Sequence, residues 1–190
     1  MAQVKKEDVR NAILDAAFSL IYEKGYVGAS MVQIARRAHI SNANIYIYFD
    51  SKIELFLSLY ETWLKDKVAQ LEVRVEKAAT PREKCQVLLH GMFQEMPLLD
   101  QGFANNLVQA IATIDPSEPY KAGLREWLEE RIDAMLAQSI PDLERSHAKR
   151  RRLAGFIVMA FDGCTVNVRI NSATLPDKKL IAELTALLLA

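Results

Sequence analysis

Residues 30–55 have the sequence SMVQIARRAHISNANIYIYFDSKIEL, which predicts two short helices, a tight turn between them and the start of a third helix. The first helix begins at Ser30-Met31-Val32-Gln33, a capping box in which serine and glutamine side chains satisfy free backbone N–H groups. A second capping box, Ser51-Lys52-Ile53-Glu54, starts the third helix. This arrangement is typical of a helix-turn-helix, whose second helix enters the major groove of DNA.

The composition of the chain favours an all-helical protein. Of its 190 residues, 51% are hydrophobic, so a sizeable core can form, and the composition argues against global disorder. Only seven glycines and six prolines interrupt the chain, and alternating β-branched residues are scarce. The 24 basic and 24 acidic residues balance, which argues against a protein that coats nucleic acid without specificity.

The sequence also predicts where the protein works. Residues 1–10 lack the apolar core of a signal peptide, and no stretch approaches the ~18 apolar residues of a membrane span. Cys85 and Cys164 lie far apart in apolar surroundings, which is typical of reduced thiols. We therefore expect a cytoplasmic protein with no membrane association.

Hydrophobic periodicity and capping residues predict about nine helices. Gly25 is expected to end the first of them, and Thr80-Pro81-Arg82-Glu83 is expected to end one helix and start another. The predicted ranges are 7–24, 31–38, 42–48, a long helix from 51, 81–96, 101–114, 120–139, a helix from 141 to about 171, and a last helix from 177. The predicted fold class is therefore all-α.

Three segments of the N-terminal part resemble the DNA-binding domain of TetR-family transcriptional regulators. They are ILDAAFSLIYEKGY at residues 13–26, IARRAHIS at 34–41 and NIYIYFDSKIEL at 44–55. The resemblance covers about a quarter of the chain, and its most specific part is Tyr46-x-Tyr48-Phe49-x-Ser51-Lys52. It implies a three-helix DNA-binding domain at residues 1–52 and a helical ligand-binding and dimerisation domain at 53–190.

The polar residues that open the second short helix are candidates for base contacts. Asn44 can bond bidentately to adenine, and Ala43 offers either a methyl group for thymine or simple clearance. Asn42 could contact a base or cap the helix. His39 stands where the family usually has glycine, and we expect a positive φ there.

Other side chains of this segment are expected to meet the DNA backbone. The resemblance implies that Tyr46 contacts a phosphate, while Ile47 and Tyr48 lie near the DNA, unless Tyr48 packs inward. Lys52 opposes the dipole of its own helix, which favours a phosphate contact. Arg36 and Arg37 either meet phosphates or belong to a solvated face. The predicted DNA-binding residues are Ser30, Arg36, Ser41, Asn42, Ala43, Asn44, Tyr46, Ile47, Tyr48 and Lys52.

The last two long helices carry apolar stripes that predict a homodimer, because an exposed apolar stripe of this kind would promote association with other molecules. The alternative is that the stripes pack only within one subunit. The predicted interface residues are Phe156, Ile157, Ala160, Phe161, Cys164, Val168, Leu180, Leu184, Leu187 and Leu188; Leu153 and Ile181 belong to the same stripes.

The middle helices are expected to enclose a pocket for a small, largely apolar effector, since methionine and aromatic side chains repack easily around ligands. The alternative for each residue is plain core. The candidates are Trp63, Cys85, Leu89, His90, Met92, Phe93, Met96, Phe103, Leu107, Trp127 and Met159, with Gln94 as a further polar contact. The basic run at 149–152 is interpreted as a solvated face.

These features and the family resemblance together predict a ligand-responsive repressor that a small, largely apolar effector releases from a palindromic operator. Two alternatives remain open at the level of sequence. One is a DNA-binding regulator without an effector, controlled by a protein partner or by cysteine oxidation. The other is an enzyme built on a helical bundle, but His39, His90 and His147 fall on different predicted elements, and metal-binding spacings are absent. We therefore predict no catalytic residues, no metal and no cofactor, and double-stranded operator DNA as the main partner.

Overall fold

The computed structural model of the chain describes residues 2–100, 102–113, 123–140, 146–170 and 175–190. All regular elements within these ranges are helices, which confirms the predicted all-α fold. They are α1 (Ala2–Gly28), α2 (Met31–Arg37), α3 (Asn42–Ile45), α4 (Lys52–Lys77), α5 (Pro81–His90), a π-helix (Gly91–Glu95), α6 (Met96–Leu99), α7 (Phe103–Ile111), α8 (Gly123–Ser139), α9 (His147–Ile170) and α10 (Lys178–Leu188). The predicted helix start at Pro141 lies outside the described residues.

Packing divides the chain into two compact units. The first unit contains Met1–Trp63 and Gln101–Pro119, and the second contains Leu64–Asp100 and Tyr120–Ala190. Helix α4 contributes its first half to one unit and its second half to the other. The boundary between the DNA-binding domain at 1–52 and the ligand-binding domain at 53–190 concerns function rather than packing, and it stays a prediction.

The capping residues act at the helix starts where the sequence predicts them. Ser30 and Gln33 form a complete capping box on α2, and Thr80 and Glu83 form one on α5. The box at Ser51 is modified, because the Glu54 carboxylate accepts a hydrogen bond from the Asp50 N–H at 2.7 Å. Ser51 Oγ still accepts the Glu54 N–H at 3.2 Å, so α4 begins as predicted.

Two left-handed backbone positions shape the N-terminal part of the first unit. Gly25 has φ 74° and breaks α1 where the sequence predicts its end, although helical turns resume to Gly28. His39 has φ 57°, which confirms the positive φ expected in the turn after α2. Both residues redirect the chain without the steric cost that a β-branched residue would meet.

Helix α7 packs against α1 in the first unit. The side chain of Asn106 is buried, and its Oδ1 accepts a hydrogen bond from the Tyr26 N–H at 2.6 Å. Phe103 contacts the rings of Phe18, Phe56, Tyr60 and Trp63, with centroid separations from 5.5 to 6.2 Å. This aromatic cluster explains why residues after position 100 belong to the first unit.

The helix predicted over residues 81–96 is interrupted in the second unit. Helix α5 ends at His90 and continues as the π-helix, in which the Met96 N–H bonds to the Gly91 carbonyl. A Cβ at position 91 would overlap the side chain of Leu71 on α4, so this close approach of α4 favours a glycine there. Pro97, which cannot donate a backbone hydrogen bond, follows directly and disfavours a regular α-helical turn.

Candidate nucleic-acid interface

A shared buried face holds α2 and α3 together in the first unit. Ile34, Ala35, Ile45 and Phe49 are all buried, as their core positions predict. The turn between the helices is closed by a hydrogen bond from the Ile40 N–H to the Ala35 carbonyl at 3.0 Å. The inner faces are thus fixed by packing, and the opposite side of α3 is presented to solvent.

Helix α3 is shorter than the predicted range 42–48, because Tyr46, Ile47 and Tyr48 form a turn after it. Ser41 is its N-cap, with Oγ accepting the Asn44 N–H at 3.1 Å. The capping role considered for Asn42 therefore belongs to Ser41. The side chain of Asn42 remains exposed at the first position of the helix.

An exposed row of side chains runs along the outer side of this segment. Asn42, Ala43 and Asn44 are exposed, and Ile47 keeps 67% of its surface accessible. Tyr46 is exposed, whereas Tyr48 is half-buried. Core packing does not account for an isoleucine placed in this way.

The two arginines of α2 have different surroundings. Arg37 Nη1 and Nη2 donate to the two carboxylate oxygens of Glu23 at 2.7 and 3.0 Å, and this pairing lowers the pKa of Glu23. Arg36 is exposed, and its guanidinium forms no hydrogen bond or ion pair with another described residue. Both line an open depression of about 470 Å³, together with Leu20, Lys24, Gln33 and His39. The depression is therefore mainly basic.

Lys52 lies in an internal position that the sequence did not reveal. Its ammonium donates to the carbonyls of Tyr26 and Ala29 at 2.9 and 3.0 Å, and it lies 4.2 Å from the centre of the Tyr26 ring. Burial lowers the pKa of this lysine. An ammonium has three N–H donors, so one is left after these bonds. Lys52 holds the link between α1 and α2.

The predicted effector-pocket residues are distributed over both units. Trp63, Phe103 and Leu107 belong to the first unit, where Trp63 and Phe103 pack together. In the second unit the following are buried: Cys85, Leu89, Met92, Phe93 and Met96. Trp127 is half-buried beneath the Lys65 ammonium, and His90 Nδ1 lies 2.9 Å from Glu95 Oε1. Met159 is 55% exposed, which removes it from an enclosed pocket.

The apolar stripe of α9 turns out to cover two faces of the helix. Ile157, Phe161 and Cys164 are buried inside the subunit, so they have no surface left for a partner and do not belong to a dimer face. Phe156 is 60% exposed, and Met159 lies on the same side. On α10 the exposed leucines are Leu180 and Leu187, while Leu184 and Leu188 are half-buried, as are Ala160 and Val168 on α9.

Two of the sequence expectations, on the cysteines and on the basic run at 149–152, can be compared with the structure. The thiols of Cys85 and Cys164 are buried, and burial raises the pKa of both. Arg150 is not part of a solvated face, because it pairs with Asp133 at 3.1 Å and is buried. Among the described residues there is no cluster of three or more metal-binding side chains. No described helix is both long and apolar enough to cross a membrane.

The sequence of residues 13–59 matches the family described as bacterial regulatory proteins, tetR family. The fatty acid metabolism regulator protein of Bacillus subtilis is 30% identical over 81 residues, 43% of this chain and 42% of that protein. The HTH-type transcriptional regulator BetI of Agrobacterium fabrum is 35% identical over 85 residues, 45% of this chain and 41% of its own length. The chain therefore spans less than half the length of these curated relatives.

Solved structures share the fold over nearly the whole chain. Bacillus subtilis FadR in complex with stearoyl-CoA has a TM-score of 0.64 at 21% identity, covering 94% of this chain and 97% of that chain. A TetR transcription regulator from Haloarcula marismortui has a TM-score of 0.67 at 15% identity, covering 96% and 97%. Residues 13–59 therefore have the sequence of the tetR-family DNA-binding segment and form the helix-turn-helix, and the fold of the whole chain is similar to that of these solved regulators.

Proposed function

We propose that this protein is a ligand-responsive repressor that binds a palindromic operator as a homodimer and leaves it when a small, largely apolar effector binds. It would act in the cytoplasm, where operator DNA is accessible. The observation that carries the proposal is the exposed row at the start of α3, where Asn42, Asn44 and Ile47 face solvent above a fully buried inner side. Such a row is what a recognition helix needs to reach base edges.

The base-reading part of the proposal rests on the two asparagines and their neighbours. Ser41 supplies the cap, so the Asn42 amide is available for a base. Asn44 uses only its backbone N–H in the capping bond, which leaves its side-chain amide available as well. An asparagine can recognise adenine bidentately, and Ala43 or Ile47 can contact a thymine methyl group.

Phosphate contacts would come from the residues around this row. Arg36 faces solvent beside the basic depression, and the exposed Tyr46 hydroxyl and the Ser30 hydroxyl proton are further donors. Tyr48 is half-buried and Lys52 has one N–H left, so we assign both a smaller share. Arg37 is engaged by Glu23 and is expected to contribute least.

The proposed dimer uses the exposed sides of α9 and α10. Phe156, Met159 and Val166 follow one another at intervals of three and seven residues on α9, and Leu180 and Leu187 are exposed on α10. Two such helices from each subunit would bury this apolar surface in a four-helix bundle. Dimeric binding places two recognition helices on half-sites about 34–36 Å apart, or a multiple of that distance.

The proposed effector site lies among buried residues of the second unit. Met92, Phe93 and Met96 have flexible or aromatic side chains that can repack around an apolar ligand. Helix α4 continues from the second unit to Lys52, next to the recognition segment, so a change in its position would move α3. The ligand must bind the DNA-free arrangement more tightly for this coupling to act.

Selection of binding sequences from random double-stranded DNA tests the DNA-binding part directly. The purified chain is expected to enrich a palindrome whose half-sites include A·T base pairs. Enrichment of no sequence above background would contradict the proposal. The matched variants Arg36→Gln and Arg37→Gln then test the phosphate contacts. Because each subunit of the dimer loses one contact, Arg36→Gln should reduce the slope of log affinity against log salt by about 1.8, and Arg37→Gln should leave it nearly unchanged.

Titration of the protein–operator complex with stearoyl-CoA tests effector control, with coenzyme A as the control that lacks the acyl chain. The probe is chosen because FadR, which shares the fold, has been solved with it. We expect operator affinity to fall at least tenfold, a coupling of about 1.4 kcal/mol, within the usual range. Unchanged affinity at saturating probe would contradict control by this class of ligand and favour control by a protein partner.

A further inference from the structure

A second pocket lies in the second unit, away from the buried effector residues named above apart from His90. It is open, has a volume of about 370 Å³ and lies between α4, α5 with the following π-helix, and α10. Its lining consists of Arg74, Gln86, Val87, His90, Glu95, Lys178 and Ile181. A volume of this size is within the range of pockets that hold small molecules.

The charges of this pocket do not cancel. The Glu95 carboxylate accepts a hydrogen bond from Arg74 and lies 2.9 Å from His90 Nδ1, so its negative charge is already engaged. This pairing, chiefly the bond from Arg74, lowers the pKa of Glu95, which therefore stays ionised at neutral pH. Lys178 is the second full cation, and its ammonium forms no hydrogen bond or ion pair with another described residue. The lining thus has one positive charge in excess.

The position of Lys178 is set by its neighbours in sequence. Asp177 caps α10, with Oδ1 accepting the Leu180 N–H at 2.8 Å, which engages the adjacent carboxylate. The Gln94 side-chain amide donates to the Pro176 carbonyl and holds the segment before the helix against the π-helix. The ammonium is therefore attached to a fixed backbone rather than to a free loop.

The remaining lining residues indicate the rest of the ligand. Val87 and Ile181 supply an apolar surface, and Ile181 is almost completely buried. The Gln86 amide adds a donor and an acceptor at the edge. An apolar floor with one excess positive charge suits a ligand that has a short hydrocarbon body and a single negative charge.

We propose that this pocket binds a small aliphatic carboxylate, with the carboxylate between Lys178 and Arg74 and the hydrocarbon chain against Val87 and Ile181. A guanidinium and an ammonium together match the two oxygens of a carboxylate. This site is separate from the proposed effector core, and the inference does not depend on effector control of DNA binding.

Isothermal titration of the full chain with octanoate tests the proposal. Lys178→Gln removes the excess charge, and Lys179→Gln is the matched control, because Lys179 is also exposed in the same helical turn but does not line the pocket. We expect Lys178→Gln to weaken octanoate binding about tenfold, as loss of a charge-assisted hydrogen bond does, and Lys179→Gln to leave it unchanged. Equal binding by all three proteins, or no binding to the unaltered chain, would overturn the proposal.

Three further ligands show which part of the molecule is recognised. Acetate lacks the hydrocarbon body, 1-octanol lacks the charge, and inorganic phosphate has a different anionic group; each is expected to bind at least tenfold more weakly than octanoate. Phosphate binding as tight as octanoate would overturn the carboxylate assignment. Both lysine variants are expected to fold, because each replaced side chain is exposed, and thermal unfolding checks this. Operator affinity without octanoate should be the same in both variants, so failure here is distinguishable from failure of the DNA-binding proposal.

Discussion

The helix-turn-helix was predicted from capping residues and a tight turn, whereas the dimer faces of the last two helices, α9 and α10, were predicted from apolar stripes. In the helix-turn-helix, Ser30, His39 and Ser41 fix where each helix starts and how the turn is made. On α9, by contrast, the local sequence does not distinguish Phe161 from Phe156. Only tertiary packing buries Phe161 and leaves Phe156 exposed. Helix caps and turns can be predicted from sequence more directly than whether an apolar side of a helix packs inside the subunit or is exposed.

Helix α9 shows the difficulty clearly. It carries large apolar residues on two sides: Ile157 and Phe161 point into the subunit, while Phe156 and Met159 are exposed. A helix that is apolar around much of its circumference is typical of an element buried on several sides. The single stripe predicted from the sequence merged a core face with an exposed face that we assign to the dimer.

The largest expected effect separates these two faces of α9. Phe161→Ala should lower the free energy of unfolding by about 3–5 kcal/mol, because it leaves a cavity in a fully buried site. Phe156→Ala should leave the subunit's thermal unfolding nearly unchanged when measured below the dimer dissociation constant, and should weaken dimerisation in sedimentation experiments. Similar losses of stability from both variants would erase the distinction between a core face and a dimer face.

Gly91 tests whether close helix packing imposes the π-helix. Gly91→Ala places a methyl group against Leu71, which is itself fully buried, and is expected to cost about 1–3 kcal/mol of unfolding free energy by overpacking. Gly123→Ala is the control, since no atom lies within 4 Å of a Cβ at that position. Chemical denaturation measures both, and equal stability of the two variants would show that the approach of α4 imposes no constraint.

A smaller effect tests the local devices of the helix-turn-helix. Ser41→Ala removes the N-cap of α3 and should lower the free energy of unfolding by about 1 kcal/mol. Asn42→Ala should leave stability within about 0.5 kcal/mol, because an exposed side chain outside the cap is replaced. A larger loss from Asn42→Ala than from Ser41→Ala, measured by urea denaturation, would return the capping role to Asn42.

These comparisons show how far the sequence leads. The helix starts at Ser30 and Thr80, the break at Gly25 and the positive φ of His39 were predictable, because each depends on a few adjacent residues. The internal bonds of Lys52 and the buried amide of Asn106 were not, because their partners lie 26 and 80 residues away in sequence. Lys52 is the instructive case, since its unfavourable position in the dipole of its own helix predicted a phosphate contact, whereas its ammonium bonds to two backbone carbonyls.

The candidate pocket shows the same limit. His90 was predicted as a polar contact, but Arg74 and Lys178 were not singled out, because helices distant in sequence must pack before they share a pocket. The sequence signal that could have indicated them is the presence of basic residues beside apolar positions of α4 and α10. Such a pattern does not identify a site until the folded chain brings the residues together.

The central claim is that exposed side chains at the start of α3 read the DNA sequence. The most direct measurement compares the affinities of the unaltered chain and Asn44→Ala for the selected operator and for every single-base variant of one half-site. We predict that Asn44→Ala loses about 1–3 kcal/mol of discrimination at one A·T base pair and keeps the preferences elsewhere. An unchanged preference at every position, with unchanged affinity, would contradict the claim that this row reads bases.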